Sequence, residues 1–160
     1  MKLEELFPKK LFRHDNTGSS PAFFWLGESF ILTPEICAHL ERASEACGNA
    51  NVRICVQKSK ESPLQEMVVL LRNGKTVSPH MHPNKSEIKH MIKGEMDLVF
   101  FSAKGDILQH NVVSPDGNCF ITVAPSVYHE DRLFTPFVIF HEVKIGPFER
   151  DIENFTAPWI

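Results

Sequence analysis

The chain has 160 residues, of which 42% are hydrophobic and 23% are charged, so it is long enough to bury a core and fits a single domain. Its formal net charge is −3 at pH 7, and a chain without a basic surplus lacks the electrostatic attraction on which nucleic-acid binding depends. No apolar stretch approaches a membrane span and no Lys/Arg block indicates a membrane surface, so neither nucleic acid nor a membrane is an expected partner.

The opening residues, MKLEELFPKKLFRHD, lack the apolar run of a signal peptide. The four cysteines form no CxxC pair, and this spacing is typical of neither a zinc ribbon nor a redox motif. We therefore expect a cytoplasmic protein whose cysteines are free thiols.

The first 50 residues are predicted to form an N-terminal arm and a helix that pack on the remainder of the chain. The segment HDNTGSSPAFFWLG combines turn formers with the apolar run 23–25. We expect this run to lie on the core or on a partner, because no period of strand or helix surrounds it.

One helix is predicted over residues 34–47. Thr33 is a suitable N-cap, and Pro34 suits the first helical position. Gly48 is a favourable residue for the position just after the helix.

After residue 50 the pattern changes to short β-rich runs. These are NVRICVQ, EMVVLL, EIKHMIKGEMDLVFF, DILQHNVV, NCFITVA and PFVIFHEVK, separated by turn signals such as KGD and PDG. Six or more short strands without intervening helices predict an all-β antiparallel sandwich or barrel over residues 51–160. We expect the tail GPFERDIENFTAPWI to pack back across this barrel.

Residues 78–94, SPHMHPNKSEIKHMIKG, contain a set of potential metal ligands. His80 and His82 point to one face if the segment is extended, and Glu87 can reach back from the start of the next strand. His129, in APSVYHED, is the natural fourth ligand. Three imidazoles and one carboxylate suit one divalent transition metal ion (Zn, Fe, Mn or Ni; Co and Cu are also compatible).

These residues also match the first motif of the cupin superfamily: Gly, five residues, HxH, three or four residues, Glu, six residues, Gly. Gly74, His80, His82, Glu87 and Gly94 occupy every fixed position. The resemblance implies a cupin-type jelly-roll β-barrel with a bound metal.

The second cupin motif, PxGxxH followed later by Asn, is only partly kept. VAPSVYH retains His129, but Ala124 stands at the Pro position and Ser126 at the Gly position. Leu133 stands where the terminal Asn is expected.

From Arg53 to the C-terminus the chain resembles the WbuC-type cupin fold metalloproteins. The resemblance is carried by SPLQEMVVLL, VSPHMHPNKSE, KGEMDLVFF, FHEVKIGPFERD and FTAPWI. Members of this group are similar to proteins encoded among polysaccharide, often O-antigen, biosynthesis genes. The resemblance therefore implies a place in polysaccharide metabolism and a sugar-derived small-molecule ligand. Small cupins are frequently dimers, so a homodimer is also expected.

Two residues are candidates for proton transfer. Lys89 shares the face of Glu87 by strand parity, so it either contacts an anionic substrate inside the barrel or keeps its charged head in solvent at the barrel mouth. Tyr128 adjoins His129, and cupin-fold sugar-nucleotide epimerases use histidine and tyrosine without a metal, which makes Tyr128 a candidate acid. Neighbouring strand residues point apart, so Tyr128 reaches the pocket only if the backbone is irregular there.

Two further pairs are ambiguous. Glu142 and Lys144 alternate on one strand, and Arg53 and Gln57 lie on an earlier one. They either line a pocket or pair with one another.

We expect a metal-dependent protein that binds or acts on a carbohydrate or sugar-nucleotide derivative, with isomerisation or epimerisation as the first reaction to test. The alternatives are an iron- or nickel-dependent dioxygenase and a non-catalytic, metal-dependent sugar-binding or regulatory module. A metal-free epimerase that depends on Tyr128 is a further alternative.

Overall fold

Short β-rich runs interrupted by turn formers produce a mostly β structure. The computed structural model describes residues 2–149 and 154–160, so residues 150–153 of the predicted C-terminal tail lie outside it. The helices are α1 Leu3–Leu6 and α2 Pro34–Ala46. The strands are β1 Phe12–Asp15, β2 Ala22–Trp25, β3 Val52–Cys55, β4 Leu64–Arg72, β5 His80–Met81, β6 Glu87–Lys93, β7 Met96–Phe101, β8 Ile107–Gln109, β9 Val112–Val113, β10 Phe120–Val123, β11 Tyr128–Leu133, β12 Phe137–Ile145 and β13 Phe155–Thr156.

The strands form two sheets. The larger sheet has the order β1-β2-β3-β4-β12-β6-β10, and the smaller has the order β13-β5-β11-β7-β8, with β9 also paired to β7. Within the larger sheet β2 and β3 run parallel, whereas the other pairs are antiparallel. The longest ladder joins β4 to β12, from Arg72–Phe137 at one end to Leu64–Ile145 at the other.

The two faces of the larger sheet have different surroundings, because alternate residues of each strand point to opposite sides. On β4, Val68 and Leu70 pack with Leu40 and Ala43 of α2 in an apolar cluster. Gln65 and its alternating neighbours line a cavity on the other face. Glu87 and Lys89 of β6 lie on this second face, which is opposite the smaller sheet.

Helix α2 begins and ends close to the predicted positions. The Thr33 hydroxyl oxygen accepts a hydrogen bond from the Ile36 backbone N–H at 3.3 Å, and Pro34 occupies the first turn. The helix ends at Ala46, one residue before the predicted end, and Gly48 follows with a φ of +69°. The predicted N-cap is confirmed, because this signal is local to the sequence.

The N-terminal arm is more regular than the sequence indicated. β1 pairs with β2, and β2 pairs in parallel with β3, so the arm extends the larger sheet at its edge. Phe23 is buried on the helix side, whereas Phe24 contacts Cys55 on the cavity side. The run AFFW is therefore a strand that is buried on both faces, which leaves no alternation for a sequence pattern to detect.

The predicted fold class is correct in outline and differs in detail. The structure is mostly β, but it has a second short helix and one parallel strand pair, and the observed strand pairing does not show closure into a barrel. The four cysteines are free thiols, as expected. Neither described helix has the length and apolar character that a membrane crossing requires.

Candidate metal centre

Three buried histidines converge on the smaller sheet. His80 lies directly opposite His129 in the pairing of β5 with β11, and His82 follows two residues later. The ring centroids are 4.4 Å apart for His80 and His129, 5.1 Å for His80 and His82, and 5.3 Å for His82 and His129. Each residue offers one ligand atom, and these atoms lie within 4.8 Å of one another. The group is therefore compact enough to hold one ion.

The backbone orients two of these rings. Nδ1 of His80 lies 3.0 Å from the Ser78 carbonyl oxygen, and Nδ1 of His129 lies 3.0 Å from the Val127 carbonyl oxygen. Because a carbonyl only accepts, each Nδ1 carries the proton in the neutral ring, and Nε2 keeps its lone pair. This is the arrangement by which backbone carbonyls orient metal-binding histidines.

Nε2 of His129 is buried and forms no hydrogen bond within the described part of the chain. A buried polar atom of this kind costs free energy unless a ligand satisfies it.

The pKa of His80 is lowered to about 4, chiefly because the ring is buried and secondly because the His129 ring lies nearby. The His80 imidazole is therefore neutral at pH 7, which is the form that binds metal.

Glu87 faces the histidines from the larger sheet. It is the first residue of β6 and is buried. Its Oε2 lies 2.7 Å from Nε2 of His82 and 3.5 Å from Nε2 of His129. The Glu87 carboxylate therefore lies beside two of the three histidines, and a ligand role for Glu87 stays a prediction.

Charged side chains, most of them buried, surround Glu87. Lys89 donates to both carboxylate oxygens of Asp131 at 2.7 Å and lies 3.0 Å from Glu87. Lys144 lies 3.4 Å from Glu87 and 3.2 Å from Glu142. Burial alone would raise the pKa of Glu87, but the charges of Lys144 and Lys89 and the nearby imidazoles lower it well below its usual value. Glu87 is therefore an anion at neutral pH.

The two candidate proton-transfer residues lie in different places. Lys89 is only 2% exposed, so its ammonium group is not solvated at a pocket mouth but is paired inside the protein. Tyr128 stands on β11 opposite Phe101 and contacts the Trp159 ring, with centroids 4.8 Å apart. The structure brings Lys89 to Glu87 but does not bring Tyr128 to the residues that line the cavity. The catalytic roles of both residues stay predictions.

Asp131 was not among the predicted site residues. This residue is two positions after His129 on β11 and is buried with it. Strand parity places Asp131 on the same face as His129, so the spacing alone would have detected it. Glu142 and Lys144 pair with each other and also line the cavity, so both of the predicted alternatives hold for them.

A cavity of about 240 Å³ begins at the candidate centre and extends across the inner face of the larger sheet. His80, Glu87 and Lys89 line it near the centre, and Arg53 and Gln57 line it farther away. Met67, Val69 and Phe140 form an apolar part of the wall. A mixed polar and apolar lining is typical of small-molecule sites.

Comparison with known protein families matches part of the chain. A family model described as a domain of unknown function (DUF6016) matches residues 37–113. No curated protein sequence matches the chain.

Three solved structures illustrate the structural likeness. The capsular polysaccharide assembling protein CapF from Staphylococcus aureus aligns with a TM-score of 0.56 and 15% identity, covering 68% of this chain and 29% of CapF. CapF with the inhibitor 3-isopropenyl-tropolone has the same TM-score and identity, with 68% and 31% coverage. An oxalate decarboxylase from Lactobacillus farciminis aligns with a TM-score of 0.47 and 14% identity, covering 59% of this chain and 27% of the enzyme. This chain thus spans about a third of CapF, and the likeness to CapF shows a shared cupin-like fold.

Proposed function

We propose that this chain binds one divalent transition metal ion, Zn, Fe, Mn or Ni, through His80, His82 and His129, with Glu87 as the fourth ligand. The observation that carries the proposal is the convergence of three buried imidazoles whose ligand atoms lie within 4.8 Å of one another. Nε2 of His129, which is buried and forms no hydrogen bond within the described residues, supports it. Three nitrogens and one carboxylate suit first-row transition metals better than they suit Mg²⁺ or Ca²⁺.

We further propose that the centre and its cavity bind a small carbohydrate-related ligand. A bound divalent ion supplies Lewis-acid polarisation of a carbonyl or hydroxyl oxygen, or activation of water. Two similarities support the ligand class: the likeness to a capsular polysaccharide assembling protein and the resemblance to WbuC-type cupins. The inhibitor named with CapF also fits a chelating ligand, since a tropolone presents two adjacent oxygens.

Lys89 is proposed to hold Glu87 in place. Burial works to lower the pKa of Lys89, but the carboxylates of Asp131, Glu87 and Glu142 raise it. Lys89 therefore stays protonated at neutral pH, which favours a positioning role or proton donation over action as a base.

The proposal is tested by elemental analysis of protein purified without added metal. We expect about one ion per chain in the wild type and none in the His80→Ala/His82→Ala variant, with strand content retained in the circular dichroism spectrum. His90→Ala is the matched control, because His90 is an exposed histidine on the same strand as Glu87. Wild-type protein that binds none of the four ions, or a double variant that keeps its ion, overturns the proposal.

The dioxygenase alternative has a separate test. Iron-loaded protein that consumes oxygen in the presence of a sugar-derived ligand would favour an oxygenase over an isomerase. Tight ligand binding without turnover would favour the non-catalytic module.

A further inference from the structure

Arg53 lies at the far end of the cavity and forms no ion pair within the described residues, 2–149 and 154–160. It lies on β3 and lines the cavity together with three lysines. Each of these lysines is paired: Lys60 with Asp15 at 2.9 Å, Lys89 with Asp131 at 2.7 Å, and Lys144 with Glu142 at 3.2 Å. The Arg53 guanidinium forms no hydrogen bond or ion pair with the residues that the structure describes. Its charge is therefore available to a ligand.

A second cavity, of about 450 Å³, adjoins the first at this point. The two cavities share Ser19, Arg53 and Val77 among their lining residues. Lys75 and Ser20 also line the second cavity, and its described lining includes no aspartate or glutamate. Lys75 donates to the Gly48 carbonyl oxygen at 3.1 Å, a neutral partner that leaves its positive charge uncancelled. This region is consequently suited to an anion.

The strand order determines how long a ligand must be to contact both ends of the first cavity. Glu87 lies on β6 and Arg53 on β3, with β12 and β4 between them. Three inter-strand spacings separate these strands by about 14 Å. The first cavity is lined by both residues, so it connects the candidate metal centre with Arg53. A single small ion cannot contact both ends, whereas an elongated molecule can.

We propose that Arg53, assisted by Ser19 and Lys75, forms an anion subsite for a ligand whose other end reaches the metal centre. The ligand class is an elongated polyhydroxylated compound that has a chelating group at one end and a phosphate or carboxylate at the other. The planar guanidinium group can donate two parallel hydrogen bonds to such an anion, and the serine hydroxyl can donate another. The subsite deepens the proposed function and rests on it for the inner end of the ligand.

Three six-carbon probes test the subsite by calorimetry on metal-loaded protein. Gluconate, glucarate and 6-phosphogluconate share an α-hydroxycarboxylate at one end, and they carry a hydroxyl, a carboxylate and a phosphate, respectively, at the other. We expect glucarate or 6-phosphogluconate, which carry an anionic group at both ends, to bind about tenfold or more tightly than gluconate, because a charge-assisted hydrogen bond contributes on that order. Comparing these two probes shows whether phosphate or carboxylate is preferred.

Arg53→Gln should abolish this preference with metal content unchanged, because the substitution weakens the probes with two anionic ends far more than it weakens gluconate. Arg13→Gln is the matched control: Arg13 lies on β1 with its guanidinium over the Phe24 ring, 4.1 Å from the centroid, and outside the cavity lining. The control should retain the preference. If Arg53→Gln fails to fold, Arg53→Lys should reduce the preference because a lysine lacks the planar fork. Equal binding of all three probes by the wild type, or a preference that survives the loss of Arg53, overturns the proposal.

A metal-free measurement separates this inference from the proposed function. Metal-stripped wild-type protein should bind inorganic pyrophosphate in a manner that Arg53→Gln weakens about tenfold or more. If Arg53-dependent pyrophosphate binding is found in a protein that takes up no ion, the metal proposal fails and the anion subsite stands. If the protein binds its ion and gluconate but shows no dependence on Arg53, the subsite fails and the metal proposal stands.

Discussion

Glu87 carries a negative charge inside the protein between two lysines. Its carboxylate lies 3.0 Å from Lys89 and 3.4 Å from Lys144, and it is 2% exposed. Removing one partner from a buried charged group is costly, because the remaining charges lose their compensation without regaining water. The same side chain also faces His82 and His129. One substitution should therefore affect both stability and metal binding.

Glu87→Gln keeps the shape of the side chain and removes its charge. We expect metal affinity to fall by at least about 10- to 100-fold. Losses of that size follow even the substitution of residues that hydrogen-bond to a metal ligand without contacting the metal. We also expect the metal-free protein to lose about 3 kcal/mol of unfolding free energy. Chelator competition and urea denaturation measure the two effects.

Glu95→Gln is the control for this substitution, because Glu95 is exposed in the turn between β6 and β7. It should change neither quantity by a measurable amount. A Glu87→Gln variant with wild-type metal affinity would exclude Glu87 as a ligand.

At the level of single residues, the sequence predicted which side chains share a face of a strand. It did not predict the ion-pair and hydrogen-bond partners of those side chains. His80, His82 and His129 were located by spacing, and the structure brings them together. Lys89 was equally well placed by parity, yet its pairing depends on Asp131, which comes from the other sheet. A contact between sheets depends on their packing distance and register, neither of which a single strand encodes.

The turn between β6 and β7 requires glycine for two reasons. Gly94 has a φ of +82°, a conformation that residues with a Cβ rarely adopt. A Cβ added there would also lie 2.5 Å from the Phe137 carbonyl oxygen and 2.6 Å from Thr135 Oγ1. Gly74 has a similar φ of +78°, but a Cβ there would meet nothing within 4 Å. Substitution of Gly74 therefore tests backbone conformation alone, whereas substitution of Gly94 tests backbone conformation together with a steric clash.

Gly74→Ala should cost about 1–2 kcal/mol of unfolding free energy from its left-handed backbone conformation alone. Gly94→Ala should cost about 2 kcal/mol more, because the backbone of the β11–β12 connection must also move. Urea denaturation of the two variants side by side measures the difference. Equal losses would show that this connection yields easily and that only backbone conformation requires Gly94.

The elements were predictable where their signals are local. Helix α2 has its cap, its first proline and its terminal glycine within one short segment, so its bounds were accurate to one residue. β2 was not recognised, because its partner β3 is about thirty residues away in parallel orientation and because both of its faces are buried. Its existence depends on tertiary pairing that local sequence does not record.

On the scale of the molecule, the larger sheet separates two interiors. Its helix-side face packs against α2 through Val68, Leu70 and Ile139. Its other face carries Glu87 and the cavity. Because the apolar cluster on one side and the candidate centre on the other depend on the same strands, ion binding should stabilise the whole fold.

The predicted homodimer, the cytoplasmic location and the division of the chain at residue 50 stay predictions.

A metal ion that binds only the folded state raises the free energy of unfolding by mass action. At a free ion concentration a thousand times Kd, the gain is about 4 kcal/mol. For a domain of this size this corresponds to an increase in Tm of about 10 °C. Scanning calorimetry of metal-stripped protein, with and without the ion, measures the shift.

The His80→Ala/His82→Ala variant should show no shift in Tm on addition of the same ion. If wild type and variant respond equally, the ion acts at some other place in the molecule. A shift that disappears only in the variant would locate the stabilisation at the three histidines.

The charged side chains around Glu87 do not balance one another. Two lysines, the buried Lys89 and the partly buried Lys144, lie among the buried carboxylates of Glu87, Asp131 and Glu142, so these five side chains together carry a net charge of −1 before any ion enters. A divalent cation reverses the sign and leaves an excess of one positive charge. The cation therefore binds next to a negatively charged group of side chains, and once bound it adds its own attraction for an anion to that of Arg53.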